Sequence, residues 1–330
     1  MKALAYTKAH PLSEFSIAEV ELPEPKVEPK DLLVSIKAIS TNPVDFKIRK
    51  SRSAADGVPV VLGWDAAGTV TKVGTDTSGF AVGDEVYYSG ELLRAGAYAE
   101  LQAIDSRLVA KKPKKLFFPE AAALPLTSVT AWEALFEKGI TYNEGTSVLV
   151  IGGAGGVGSI ATQLLRSETK ARVIATASRP ETIRWCELMG ANDVIDHTKD
   201  LAGELKRIDC ENVDVVFSTT HTDRYLETLS AILRPFGHFV LIDDPKSLDI
   251  VSLKRKSIST HWELMFTKSL HRYRMETQGE ILQRIATLVD EGHLKTTANL
   301  VLQGLTPENI RRAHTLGEEG KAIGKIVIEV

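Results

Sequence analysis

The chain has 330 residues, a length that suits two domains of ordinary size better than one core. Its 43% hydrophobic and 25% charged residues are those of a soluble globular protein, and a net charge of −3 gives no basis for nucleic acid or an anionic membrane as main partner. Two solitary cysteines, Cys186 and Cys210, exclude a disulfide framework and a cysteine-based zinc cage.

In chain order, the amino-terminal "MKALAYTKAH" lacks the apolar core of a signal peptide. The least polar stretch, Val148 to Ile160, is too short and too rich in glycine to cross a bilayer, so no membrane partner is expected and the cytoplasm is the expected compartment. The first hundred residues read as short strands: "KALAYT", "FSIAEVEL", "DLLVSIKAIS", "AAGTVTKVG", "DEVYYSG" and "GAYAELQAI", punctuated by "LPEPKVEPKD" and "GFAVGD". That is an all-β region closing on itself. In "KKPKKLFFPEAAAL" Pro119 is placed like the first residue of a helix. From there strands and helices alternate: "TSVLVIGG" and "GSIATQLLRSE", "ARVIATAS" and "PETIRWCELMGA", "DVID", "VDVVFSTT" and "DRYLETLSAILRP", then "GHFVLID". Such alternation predicts a doubly wound α/β domain with a parallel sheet. Two more helices, "GEILQRIATLVDEG" and "TPENIRRAHTLGEEG", precede a last strand, "GKIVIEV". The short basic run "LKRKS", residues 253–257, reads as a solvated edge.

The stretch "SVLVIGGAGGVGSIATQLLR", residues 147–166, passes from a buried strand through five glycines into a helix. Gly153, Gly155 and Gly158 satisfy G-x-G-x-x-G, with Gly152, Gly156 and Val157 completing the turn. The first glycine allows the tight turn, the second the approach of a pyrophosphate, and the third close packing of helix on strand. A lone motif of this kind also describes a plain glycine-rich turn, but here strand, helix and second strand follow at the proper distances. The tip of that second strand, "IATASRPE", carries Ser178 and Arg179 where an NAD site puts a carboxylate. A hydroxyl and a guanidinium suit a ribose 2′-phosphate, so the expected cofactor is NADPH; a solvated arginine at a helix start is the competing account. Glu181 reads as a first-turn helix acid.

With "GGAGGVGS" entering a helix after a β-rich region, and "GKIVIEV" at the close, the chain resembles the medium-chain dehydrogenase/reductase superfamily over essentially its whole length. The segments "STNPVDFKIRKS", "VLGWDAAGTVTKVG", "FAVGDEVY", "GAYAE", "ALPLTSVTAWEAL" and "RPFGHFVLI" look like its quinone oxidoreductase branch, and like small proteins labelled zinc-type alcohol dehydrogenase-like. The resemblance implies a GroES-like β-rich catalytic domain, residues 1–125 and 269–330, and a Rossmann dinucleotide-binding domain, residues 126–268. Zinc members carry ligands at the positions that here read Asn42, Trp64-Asp65 and Leu126. None of these is a thiolate or imidazole, so no metal is expected.

Without a Lewis acid, the chemistry expected for NADPH is hydride delivery to a conjugated acceptor, either a quinone or an enone or enal. The resemblance puts the segment "NPVD" beside the nicotinamide, making Asn42 the candidate polar contact and Asp45 its neighbour; a turn starter and a helix cap are the alternatives. Trp64 is a candidate pocket wall or a core residue, and Tyr87, beside Tyr88, a candidate proton donor or a structural strand tyrosine. On the cofactor side the resemblance points to Thr127 and Thr130, and to Lys325 in the returning "GKI". Thr219, His221 and Asp243 end two further parallel strands, where ligands of such sheets bind. The resemblance also implies a homodimer joined through edge strands near "LDIVSLKRKSISTHWE". Two other readings stay open: a zinc-dependent alcohol dehydrogenase, and an NADPH-binding regulatory or structural protein without turnover.

Overall fold

The computed structural model describes residues 1–330, which divide into two units. Residues 1–129, 266–292 and 296–330 form the first, and residues 130–265 with 293–295 the second. The sequence reading placed these boundaries a few residues away, at 125/126 and 268/269. No helix is long and apolar enough to cross a membrane.

In the first unit, Asp31–Ser40 is the central strand, with Leu32, Leu33, Val34, Ile36, Ala38 and Ile39 all buried. Asp65–Val73 pairs with it antiparallel, followed outward by Glu85–Ser89 and Val109–Lys111. On the other side lie the Lys325–Glu329 strand and then Ala298–Gln303, while Leu101–Asp105 also pairs with the central strand. A smaller sheet joins Ala18–Glu21, Lys2–Tyr6 and Val60–Val61. The strand Ala298–Gln303 and the helix Pro43–Ser51 are absent from the sequence reading. The helix starts as helices do, with Pro43 in its first turn and the Asp45 carboxylate accepting the Asn42 N–H at 2.6 Å. It packs on the Pro307–Glu318 helix so closely that a Cβ on Gly317 would stand 2.9 Å from the Phe46 ring.

The second unit is a six-stranded, wholly parallel sheet in the order Asp193–Ile195, Arg172–Thr176, Ser147–Ile151, Val213–Ser218, Leu233–Leu241, Ser259–Trp262. This is the doubly wound arrangement read from the alternation of strands and helices. One boundary differs: the helix from Thr222 stops at Ile232, and the next strand already starts at Leu233. Pro235 disfavours helical backbone at Arg234, and the chain takes up the strand there instead. Leu149, Ile174, Val216 and Phe239 stack with Leu229 and Leu233 in the main core of this unit.

Candidate active site

In the second unit the Ser147–Ile151 strand has Arg172–Thr176 on one side and Val213–Ser218 on the other, so the chain reverses its direction of winding at this strand. The glycine turn leaves its carboxyl end. Gly152 has φ of +79°, a conformation that favours glycine, and its N–H donates to Thr176 Oγ1 at 3.0 Å. Gly153 N–H donates to the Thr176 carbonyl at 3.2 Å, which fixes the turn to the second strand. A Cβ on Gly153 would lie 2.7 Å from Ala175 Cβ and 3.1 Å from Cys186 Sγ, and one on Gly158 would lie 2.3 Å from the Gly152 carbonyl oxygen. Packing within the chain therefore demands both residues.

Gly155 is different. Its φ is −74°, which any residue adopts, and a Cβ there would meet only the Gly152 carbonyl oxygen, at 3.4 Å. The space that Cβ would fill belongs to whatever approaches the turn. Gly155 caps the helix Gly156–Glu168, and Gly156 and Val157 supply its first amides, which have no intrahelical acceptor. A bare turn, a positive helix end and a switch point fit a dinucleotide pyrophosphate.

Ser178 and Arg179 stand half-buried just beyond the second strand. Arg179 N–H donates to Thr182 Oγ1 at 3.1 Å as the next helix begins, and Arg179 Nε faces Glu181 at 3.2 Å. Glu181 lies in that helix's first turn. Thr219 is held against the glycine turn, its Oγ1 donating to the Ile151 carbonyl at 2.8 Å. His221, exposed, adopts φ of +51° ahead of the Thr222 helix, and its Nδ1 lies 2.7 Å from Thr220 Oγ1. Asp243 anchors that same helix: its carboxylate accepts Thr222 N–H at 2.9 Å and Thr222 Oγ1 at 2.5 Å. On the Pro125–Phe136 helix, Thr127 Oγ1 donates to the Leu124 carbonyl at 3.1 Å, and Thr130 is buried one turn on.

The first unit contains a second polar centre. Asp65 Oδ2 accepts Ser40 Oγ at 2.9 Å, Asn42 Nδ2 at 2.8 Å and Lys325 Nζ at 3.1 Å, while Oδ1 accepts Leu126 N–H at 2.7 Å. Lys325 Nζ also donates to Asn42 Oδ1 at 2.5 Å and to the Thr41 carbonyl at 2.8 Å. Lys325 and Asn42 are each 3% exposed. Both ends of the Asn42 carboxamide are thus engaged within the chain, and it reaches a substrate oxygen only by giving up one of these partners.

Asp45 lies beside this centre. Its oxygens accept N–H groups from Asn42 and from Gly63, the latter at 3.1 Å, and its charge acts on the nearby buried Tyr98 hydroxyl. Burial pushes its carboxyl up to about 7, against the pull of the Asn42 N–H and Lys325. The Tyr98 hydroxyl is hydrogen-bonded to His314 Nε2 at 3.2 Å and His314 Nδ1 to Arg49 Nη1 at 2.7 Å, with Glu318 closing the series. Burial, then the Arg49 charge, lowers His314 to about 3, so the imidazole is neutral and accepts from Arg49 at Nδ1.

The remaining candidates lie elsewhere. Trp64 is buried, donates from Nε1 to the Glu91 carbonyl at 2.9 Å and meets Phe266 edge-on. Tyr87 is buried with its hydroxyl on the Leu282 carbonyl at 2.5 Å, and Tyr88 donates to Gln102 Oε1 at 3.0 Å. Thr176, Tyr98 and His314 escaped the sequence reading, and only the threonine, ending the second strand of the motif, had a positional signal there.

Zinc does not fit the Asn42, Trp64, Asp65 and Leu126 positions. No three His, Cys, Asp or Glu side chains converge anywhere to hold a metal ion, and the single carboxylate here already accepts four hydrogen bonds, one from an ammonium ion.

Comparison with known proteins adds the following. Residues 28–114 match the family model of the alcohol dehydrogenase GroES-like domain, and residues 189–328 that of zinc-binding dehydrogenase. A zinc-type alcohol dehydrogenase-like protein of Staphylococcus aureus (strain MSSA476) is 40% identical over 100% of both chains. The 2-methylene-furan-3-one reductase of Solanum lycopersicum is 31% identical over 99% of this chain and 79% of its own. Among solved structures, a candidate zinc-dependent alcohol dehydrogenase from Rhizobium etli CFN 42 is 46% identical with a TM-score of 0.96, over 100% of this chain and 98% of that one. The quinone oxidoreductase of Coxiella burnetii is 27% identical with a TM-score of 0.83, over 100% and 99%.

Proposed function

This chain belongs to the medium-chain dehydrogenase/reductase superfamily, in its quinone oxidoreductase branch, and we propose that it is an NADPH-dependent reductase acting without zinc on a quinone or an α,β-unsaturated carbonyl compound. Gly155 carries the dinucleotide half of this reading: nothing in the chain's own backbone or packing calls for glycine there, and close approach of a pyrophosphate does. Arg179, at the tip of the second strand, supports the 2′-phosphate and so NADPH over NADH. The acceptor class is supported by the misfit of zinc and by the name of the tomato relative, a reductase of an exocyclic enone.

NADPH, when bound, supplies the hydride. The chain contributes the Gly156 and Val157 amides for the pyrophosphate, Thr176 to hold the turn, and Thr219 to line it. A conjugated acceptor needs no Lewis acid to make its β-carbon electrophilic, which suits an Asp65 cluster whose polar groups are paired with one another. The exposed Trp262 and the outermost position of Ser259–Trp262 support a homodimer through that edge.

The test is the rate of NADPH oxidation by purified, chelator-treated protein with a simple quinone and with a simple enal. Turnover surviving chelation is expected, and the faster acceptor assigns the class. Activity that disappears with the metal and returns with added zinc overturns the proposal in favour of an alcohol dehydrogenase. NADPH binding without turnover on either acceptor overturns it in favour of a nucleotide-binding regulatory or structural protein.

A further inference from the structure

Three oxygens in the first unit converge on one point. The Thr41 carbonyl, Asn42 Oδ1 and Asp65 Oδ2 stand 2.8, 2.5 and 3.1 Å from Lys325 Nζ. An ammonium ion has three N–H donors and no acceptor, so these oxygens satisfy it completely. The Lys325 side chain is 4% exposed and that of Asp65 is fully buried, so the pair is shielded from solvent. The lysine's strand is fastened at the same place: Thr41 N–H donates to the Ile326 carbonyl at 3.0 Å, and Lys325 N–H to the Thr297 carbonyl at 2.8 Å.

A carboxylate, a carboxamide oxygen and a peptide oxygen aimed at one buried point are hard donors that coordinate a cation. We infer that this cluster is a cation cage whose cation is built into the chain: Lys325 is a tethered ammonium that fills the cage formed by Thr41, Asn42 and Asp65. The tethered ion has no open coordination position and gives no Lewis acid. Its work is positional: it fixes the Asn42 carboxamide and balances Asp65, which in turn receives Leu126 N–H and Ser40 Oγ.

A cage built for an ammonium ion should accept a free one when the tethered one is removed. Lys325→Ala deletes the equivalent of n-propylammonium. The variant is expected to melt about 6–15 °C below the parent, as for loss of one partner of a buried ion pair in a chain of this size. n-Propylammonium chloride should restore more than half of that shift in a saturable manner, ethylammonium less, and tetramethylammonium chloride at equal ionic strength none, because it has no N–H. In Lys325→Ala/Asp65→Asn the n-propylammonium effect should vanish. If Lys325→Ala is recovered only unfolded, the same amines are compared by refolding yield, with Lys325→Met/Asp65→Asn as the neutral pair expected to refold without them. Equal effects of n-propylammonium and tetramethylammonium, rescue by zinc as good as by the amine, or a melting shift below about 2 °C would each overturn the cage.

These readouts are of folding, so they stand if the reductase reading fails. The link to turnover does rest on that reading. With a working acceptor, n-propylammonium should raise kcat of Lys325→Ala at unchanged KM for NADPH; a rescued melting temperature with unrescued kcat would leave the cage intact and remove its part in the reaction.

Discussion

At Gly155 the chain presents bare backbone and the first amides of a helix to an incoming ligand, whereas at Asp65 each carboxylate oxygen is already met by a donor from the chain itself. The first site is made by withholding side chains, the second by filling every position from the chain itself, with side chains and with the Leu126 and Thr41 backbone. The open site is local: residues 152–158, with Thr176 two dozen positions on, define it. The closed site draws on residues 40, 42, 65, 126 and 325. An open site is thus sensitive to added atoms and a closed one to removed atoms.

Removal at the closed site should give the largest effect. Asp65→Ala leaves Lys325 without its counter-charge and strands Leu126 N–H, Ser40 and Asn42, so a loss of about 3–5 kcal/mol in unfolding free energy is expected by denaturant titration. A loss under about 1 kcal/mol would mean the cluster is not closed but watered. At the open site, Arg179→Ala should weaken NADPH by about 1.5–3 kcal/mol while NADH binding stays as it was. Equal weakening of both, measured by fluorescence titration, would sink the 2′-phosphate assignment.

The Asp45–Tyr98–His314 series sharpens the comparison through pH, because its two titrating ends oppose one another. Asp45 is raised to about 7 from 3.8, so the stability it gives is present below pH 3.8 and is lost as pH rises through 7. His314 is lowered to about 3 from 6.5; the unfolded chain takes up the proton first, so its contribution is present above pH 6.5 and is lost as pH falls towards 3. Between about pH 4 and 6.5 the two slopes cancel. Asp45→Asn removes one of them, and relative to the parent it should lose about 1.4 kcal/mol per pH unit on acidification below 6.5. Urea midpoints at three pH values decide this, and parallel curves for parent and variant would show that the pair does not titrate as described.

The smallest effect on folding, and the cleanest contrast, is at the glycines. Gly155→Ala meets no clash and should leave stability within about 0.5 kcal/mol, yet lower dinucleotide affinity by about tenfold. Gly158→Ala pushes into the Gly152 carbonyl and should cost about 1–3 kcal/mol of stability as well. If Gly155→Ala binds the dinucleotide as tightly as the parent, the turn is only a turn.

The sequence showed these two regions unequally, for a physical reason. Strand period, glycine spacing and the Arg179 tip are short-range properties, so the parallel sheet and its open turn could be read from neighbouring residues. The segment "NPVD" offered a turn starter at Asn42 and a helix cap at Asp45 but no run of residues marking the helix itself, because helix Pro43–Ser51 owes its place to Phe46 packing on Gly317. Strand Ala298–Gln303 is half exposed and lacks a buried apolar run, and it exists by pairing with Lys325–Glu329. Lys325 appeared as a cofactor neighbour because nothing within its own segment reveals Asp65 as its partner. Likewise Tyr98 and His314 carry no local mark of the hydrogen bond between them, 216 positions apart.

The distance between Asp65 and Lys325 has a consequence for how the protein is made. The acid precedes its counter-ion by 260 residues, so a ribosome working from the amino end releases the cage long before the ion that closes it. During that interval the parallel-sheet unit, whose segments lie almost wholly in residues 130–265, has all of its strands and can fold first. The β-rich unit gains the cation for Asp65 only when the Lys325–Glu329 strand arrives to pair with Asp31–Ser40. A chain cut short just before Lys325 would keep every strand of the parallel sheet but lack the cation that balances Asp65.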